Sequence, residues 1–94
     1  MLRIMISDGP VERRWILQGR LVMPWVAELE KSWKSSRSRR DVRRCVVDLS
    51  EVTLIDAQGE KLLKTMRRAG AELIACGVYI KHVVDVINNQ CKGG

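Results

Sequence analysis

The sequence predicts an α/β fold: a mixed four-stranded sheet opened by an N-terminal hairpin, in the order β-β-α-β-α-β-α, with helices packed on it. Three observations carry this. Apolar residues switch along the chain between short strand-like runs and helical spacing. The first two strand-like runs flank a turn sequence, as in a hairpin. The later runs alternate strand and helix, as β-α units do, and right-handed crossovers between parallel strands would put their loop ends on one edge of the sheet.

Residues 2–6 (LRIMI) read as a short strand, and SDGP at 7–10 as a turn, with Pro10 halting the strand. Residues 11–18 (VERRWILQ) read as a second strand with Trp15 and Leu17 on one face, broken by Gly19. Pro24 suits the first turn of a helix that runs to about Ser36, with Val26, Leu29 and Trp33 forming its buried stripe. The tryptophans are separated along the chain and read as packing residues rather than a stacking platform. Residues 45–49 (CVVDL) have the β-branched run of a buried central strand, and SEVTLID reads as the loop after it. Residues 57–69 read as a second helix with Leu62, Leu63, Met66 and Ala69 inward, and Gly70 as its C′ glycine. Residues 72–76 (ELIAC) read as another buried strand. Residues 79–89 read as a last helix with Ile80, Val83, Val84 and Ile87 apolar, followed by a frayed tail over about 90–94.

Ninety-four residues, 46% of them hydrophobic, suit one domain spanning 1–94 with a modest core and little scaffold for a deep catalytic cleft. No run approaches the roughly 18 apolar residues of a membrane span. The start, MLRIMISDGP, lacks the apolar core of a secretion signal, so a cytoplasmic location is expected. Cys45, Cys76 and Cys91 are odd in number and form no C-x-x-C, so neither a disulfide framework nor a cofactor or metal site is expected. Cys45 and Cys76 lie in apolar runs, where a thiol acts as a small hydrophobe. His82, the sole histidine, has no nearby ligand partner and reads as a helix-surface residue.

The net charge of +6 is local. Residues 1–30 carry four basic and four acidic side chains, and residues 45–94 six of each. The excess lies in residues 31–44 (KSWKSSRSRRDVRR), read as a basic loop, with Lys31, Lys34, Arg37, Arg39, Arg40, Arg43 and Arg44 against one acid. Such density can contact phosphates, so nucleic-acid or anionic-surface binding is one candidate function. No known nucleic-acid motif accompanies it, and a solvated basic loop, or one meeting an acidic protein patch, is the plainer reading.

The stretch 45–63, CVVDLSEVTLIDAQGEKLL, holds the most information. Asp56 directly precedes a helix, where a carboxylate caps free N–H groups and meets the positive end of the dipole. Gly59, in the first turn, has no side chain to hold other elements or partners away. Asp48-Leu49-Ser50-Glu51-Val52 followed by Ile55-Asp56-Ala57-Gln58-Gly59-Glu60 resembles the signature of the STAS family, the domain shared by sulfate transporters and anti-sigma-factor antagonists. There a strand leads through D-L-S-x-V to an apolar residue and D-S-S-G-L opening a helix. The resemblance extends in element order over nearly the whole chain. It implies a STAS-like fold and a protein-protein interaction module in bacterial signalling and transcription regulation. In the phosphorylated members a serine or threonine follows the aspartate, and its phosphorylation breaks the partner complex. Here that position is Ala57, so no phosphosite is expected there and the phospho-switch has no hydroxyl to act on. Gln58 and Glu60 also depart from the pattern. Glu60 adds a fixed charge that could stand in for part of a phosphate, though a surface glutamate well placed on a helix is the simpler reading. Ser50, Thr53 and Thr65 are other hydroxyls near the motif, none at the family position.

The resemblance implies docking through the start of the second helix, over Asp56, Ala57, Gln58, Gly59, Glu60 and Lys61, with Lys64 and Arg68 outward. Its partners would be an anti-sigma kinase, a transporter ATPase of the ABC class or a larger STAS scaffold, and a homodimer is open. An enzyme is not expected: the sequence shows no Ser/His/Asp set, Cys/His pair, phosphate loop or carboxylate cluster.

Overall fold

The computed structural model describes residues 2–36 and 44–91. Strand β1 (Leu2–Asp8) and strand β2 (Glu12–Leu21) form the expected hairpin, in register from Leu2 opposite Gly19 to Asp8 opposite Arg13. The Gly9 N–H donates to the Glu12 carbonyl at 2.8 Å to close the turn. Helix α1 (Trp25–Ser36), strand β3 (Arg44–Ile55), helix α2 (Ala57–Arg68), strand β4 (Glu72–Ile74) and helix α3 (Val78–Cys91) follow. The sheet order is β1-β2-β3-β4, with β3 parallel to both β2 and β4. The fold is therefore the mixed four-stranded sheet of the sequence reading. Arg37, Arg39, Arg40 and Arg43 of the basic run, and residues 92–94 of the tail, lie outside the described residues.

One core joins sheet and helices. Trp15, Leu17 and Leu21 of β2 and Val47, Leu49, Val52 and Ile55 of β3 meet Val26, Leu29 and Trp33 of α1, Leu62, Leu63 and Met66 of α2, and Ile80, Val84 and Ile87 of α3. Alternation along β2, and along β3 with an extra residue at each of two bulges, puts these residues on one sheet face, so the helices cover that face. Trp33 meets Trp15 edge-on, with ring centroids 5.6 Å apart. The opposite face carries charges in a ladder. Arg14 pairs with Glu12 at 3.2 Å and lies 3.8 Å from Asp48, and Arg44 pairs with Glu72 across the next strand pair.

Two expectations about β2 and β3 need correction. Gly19 does not break β2. It takes a φ of 110°, and the strand continues to Leu21. The stretch SEVTLID is not a loop, since β3 runs through it to Ile55. Ile16 pairs with Asp48 and Gln18 with Glu51, then Gly19 with Val52 and Arg20 with Leu54, so β3 twice carries an extra residue. Each bulge lengthens the spacing between inward residues, from Val47–Leu49 to Leu49–Val52 and Val52–Ile55, which hides the period-two signal of a strand. The Ser50 N–H donates to Asp48 Oδ1 at 2.9 Å beside the first bulge, and Thr53 Oγ1 donates to the Gly19 carbonyl at 3.3 Å beside the second. The D-L-S element thus has a local structural task in bending β3.

Smaller corrections follow from exposure. Pro24 sits just ahead of α1, after a cis peptide, rather than in its first turn. β4 is a three-residue edge strand with Glu72 and Ile74 exposed, not a buried one, and Cys76 beyond it is exposed. Cys45 does pack against the core. Ala69 is the exposed C-cap of α2, and Ala71 takes the buried position instead. Gly70 is the C′ glycine foreseen: its φ is 103°, its N–H donates to the Arg67 carbonyl, and the Ala71 N–H reaches the Met66 carbonyl at 3.0 Å.

Candidate functional site

The strand-to-helix step from β3 to α2 organises the site. Asp56 is extended (φ −89°, ψ −179°) and caps α2, its Oδ1 accepting from the Gly59 N–H at 2.7 Å. Its other oxygen, Oδ2, accepts from the Met23 N–H at 2.9 Å, and its own N–H donates to the Leu21 carbonyl at 3.2 Å. One residue therefore ties the start of α2 to the segment that leads from β2 into α1. The Gly59 N–H, and after it the Met23 N–H, hold the carboxyl below its ordinary value of 3.8 by bonding its charged form.

Gly59 is buried and faces inward. A Cβ built there would lie 2.5 Å from the Leu21 carbonyl oxygen and 3.0 Å from Leu21 Cγ. The glycine lets α2 approach the end of β2; it does not offer a surface to a partner, which corrects its placement among the docking residues. The remaining positions divide by exposure. Ala57, Gln58, Lys61 and Arg68 are exposed, whereas Glu60 and Lys64 are half-buried. The neighbouring side of α2 turns to α3, where Arg67 donates to Asn88 at 3.0 Å. From the start of the same helix, the Tyr79 hydroxyl donates to the Ile55 carbonyl at 3.1 Å, fastening α3 to the end of β3.

Beside this helix start lies a groove of about 350 Å³ between α1 and α2. Val26 and Leu62 give it an apolar floor, Met23 and Ala27 an apolar wall, and Glu30, Gln58, Lys61 and Thr65 a polar rim. Met23 is half exposed at 50%. A cleft of mixed polar and apolar lining can seat a side chain of a partner and orient its neighbours. Sequence reasoning found Gln58 and Lys61 but missed Met23, Ala27 and Glu30. The bond from Met23 to Asp56 spans 33 residues, and no local pattern reports it.

The described members of the basic run do not converge on a site. Lys34 pairs with Glu30 at 3.5 Å within α1, and Arg44 with Glu72 on the sheet. Lys31 is exposed on α1. Among the described residues no group of three or more His, Cys, Asp or Glu side chains could hold a metal ion, and no helix is long and apolar enough to cross a membrane.

No family model and no curated protein matches the chain. Among solved structures, it is similar to an antisigma-factor antagonist STAS domain from Rhodobacter sphaeroides, with a TM-score of 0.53. The match covers 81% of this chain and 86% of that one, at 20% identity. The chain has a STAS-like fold. In this fold the Asp56 cap and the buried Gly59 are what join the D-L-S strand to the following helix, and Ala57 and Gln58 stand exposed beside them.

Proposed function

We propose that this STAS-like chain is a non-enzymatic protein-interaction module, resembling an anti-sigma-factor antagonist and acting in the cytoplasm. It docks a regulatory protein through the start of α2 and the groove beside it, with no phospho-switch at Ala57. The observation that carries this reading is the division of labour at the helix start. Asp56 and Gly59 are spent on holding β2, β3, α1 and α2 together. Ala57, Gln58 and Lys61 are left exposed on that braced frame, beside a cleft of mixed polar and apolar lining. A backbone frame that is already formed has little ordering of its own to lose on binding. Without a hydroxyl at position 57, binding is constitutive or is regulated elsewhere.

The test is affinity capture from native lysate with partners identified by mass spectrometry, using variants at exposed positions. Gln58→Arg and Lys61→Glu should each lose a regulatory kinase, transporter ATPase or STAS scaffold that the unaltered chain retains. Lys81→Glu, on α3, should keep it. A partner retained by both α2 variants overturns the docking surface, and the partner's identity separates the anti-sigma from the transporter branch. Asp56→Ala and Gly59→Arg are unsuited to this purpose, because both disturb the frame.

A further inference from the structure

The two edges of the sheet are unlike. β4 is three residues long, and its Glu72 is committed to Arg44. Shortness and charge are common ways of blunting an edge against stray pairing. β1 has neither. It runs seven residues, pairs with β2 without a bulge, and contains no proline or lysine. Its charges are Arg3, on the helix-free face, and Asp8 at its end, tied to Arg13 at 2.6 Å. Among the described residues no strand lies along its outer edge. Alternate backbone N–H and C=O groups there face outward and can take a further strand.

The side chains indicate which strand fits. On the helix-covered face, Leu2 belongs to the core and Ile4 packs against it, while Ile6 is 44% exposed although it stands opposite Trp15. Lay a second β1 antiparallel to the first with Ile4 opposite Ile4. Leu2 then faces Ile6 in two symmetric pairs, and Arg3 faces Met5 in two more on the other side of the sheet. No like charges stand directly opposite, the two Arg3 side chains being diagonal neighbours with room to splay into solvent; Asp8 falls beyond the overlap, and each exposed Ile6 gains an apolar neighbour. Every side chain also keeps its own face, since the register matches even positions with even. Pairing β1 with β4 of another copy would instead meet Glu72 and leave an open, non-closing chain of molecules.

We infer that β1 is a self-association edge, and that the partner it takes is a second copy of this chain. The two-fold pairing makes one continuous sheet with the helices of both copies on the same face. The overlap is short, so the dimer belongs to the weak class that buries less than about 1,200 Å² in total. It leaves the α2 surface open, because α2 packs over β3 and β4, away from β1.

Sedimentation equilibrium of the whole chain tests this, with concentration raised to about 1 mM. The mass should climb from 10.7 kDa toward twice that value. Ile6→Lys and Met5→Lys should each weaken association at least about tenfold while leaving the circular dichroism and melting curve in place. Ile74→Lys, on the opposite edge, should leave association unchanged. On dilution of the unaltered chain, backbone amide resonances should shift within residues 2–8. A constant mass of 10.7 kDa throughout, association equally tight in both β1 variants, or dilution shifts lying outside β1 would each overturn the inference.

Discussion

Asp56 holds two bonds that belong to different parts of the molecule, one to the first turn of α2 and one to the approach to α1. Replacing it with alanine should destabilise the fold by about 1–2 kcal/mol, the upper range for a lost helix cap. Thermal melts of the two proteins would show a shift of about 4–8 °C per kcal/mol in a chain of this size. The effect has a defined pH dependence. The folded carboxyl titrates below its ordinary 3.8 because the Gly59 and Met23 N–H groups favour its charged form. On acidification the unfolded state therefore takes up the proton first. The contribution is complete above 3.8 and fades as pH falls through the lower folded value, so the gap between the unaltered chain and Asp56→Ala should narrow in acid melts. Gly59→Ala tests the close approach of helix and strand. Its methyl would lie 2.5 Å from the Leu21 carbonyl, so a loss of about 1–3 kcal/mol is expected in urea titration, against little change for Ala57→Ser on the exposed side. Asp56 was legible as a cap because capping is a rule about neighbouring residues. Gly59 was misplaced because its constraint comes from Leu21, far away in the chain.

At the level of elements, α1 is held by a narrow stripe, Val26, Leu29 and Trp33, with Trp33 edge-on to Trp15 of β2. Removing the ring in Trp33→Ala should cost about 3–5 kcal/mol, as measured by denaturant unfolding. Since α1 forms one wall of the groove, that variant should also loosen the groove and weaken docking, whereas Lys61→Glu should weaken docking with an unchanged melting curve. The helical stripes of α1, α2 and α3 were readable because every third or fourth residue is apolar over several turns. β3 was readable only in its first half. Its bulges at Ser50 and Thr53 change the inward spacing, and both bulges exist only against the partner strand β2.

For the whole molecule, the charge of +6 is concentrated in residues 31–44, yet two of its cations, Lys34 and Arg44, are already paired with Glu30 and Glu72. With no nucleic-acid motif beside the run, any nucleic-acid binding should be phosphate contact alone, non-specific and lost between about 50 and 200 mM salt, as gel-shift titration would show. Binding that persists at the higher salt with a sequence preference would move the function to this run. The similarity in fold to a STAS domain, at 20% identity, places α2 and the D-L-S strand in a known architecture without naming what binds there.

By itself the sequence determined the α/β order, the hairpin, the Asp56 cap, the Gly70 stop and the apolar stripes of the helices. Each depends on rules that act within a few residues, through backbone preference, capping or periodicity. Tertiary structure decided the length of β3, the inward duty of Gly59, the edge position of β4 and the α1 wall of the groove. Those depend on which surfaces meet, and Leu21, Met23 and Asp56 become neighbours only when β2 and β3 lie side by side and α2 closes over their ends.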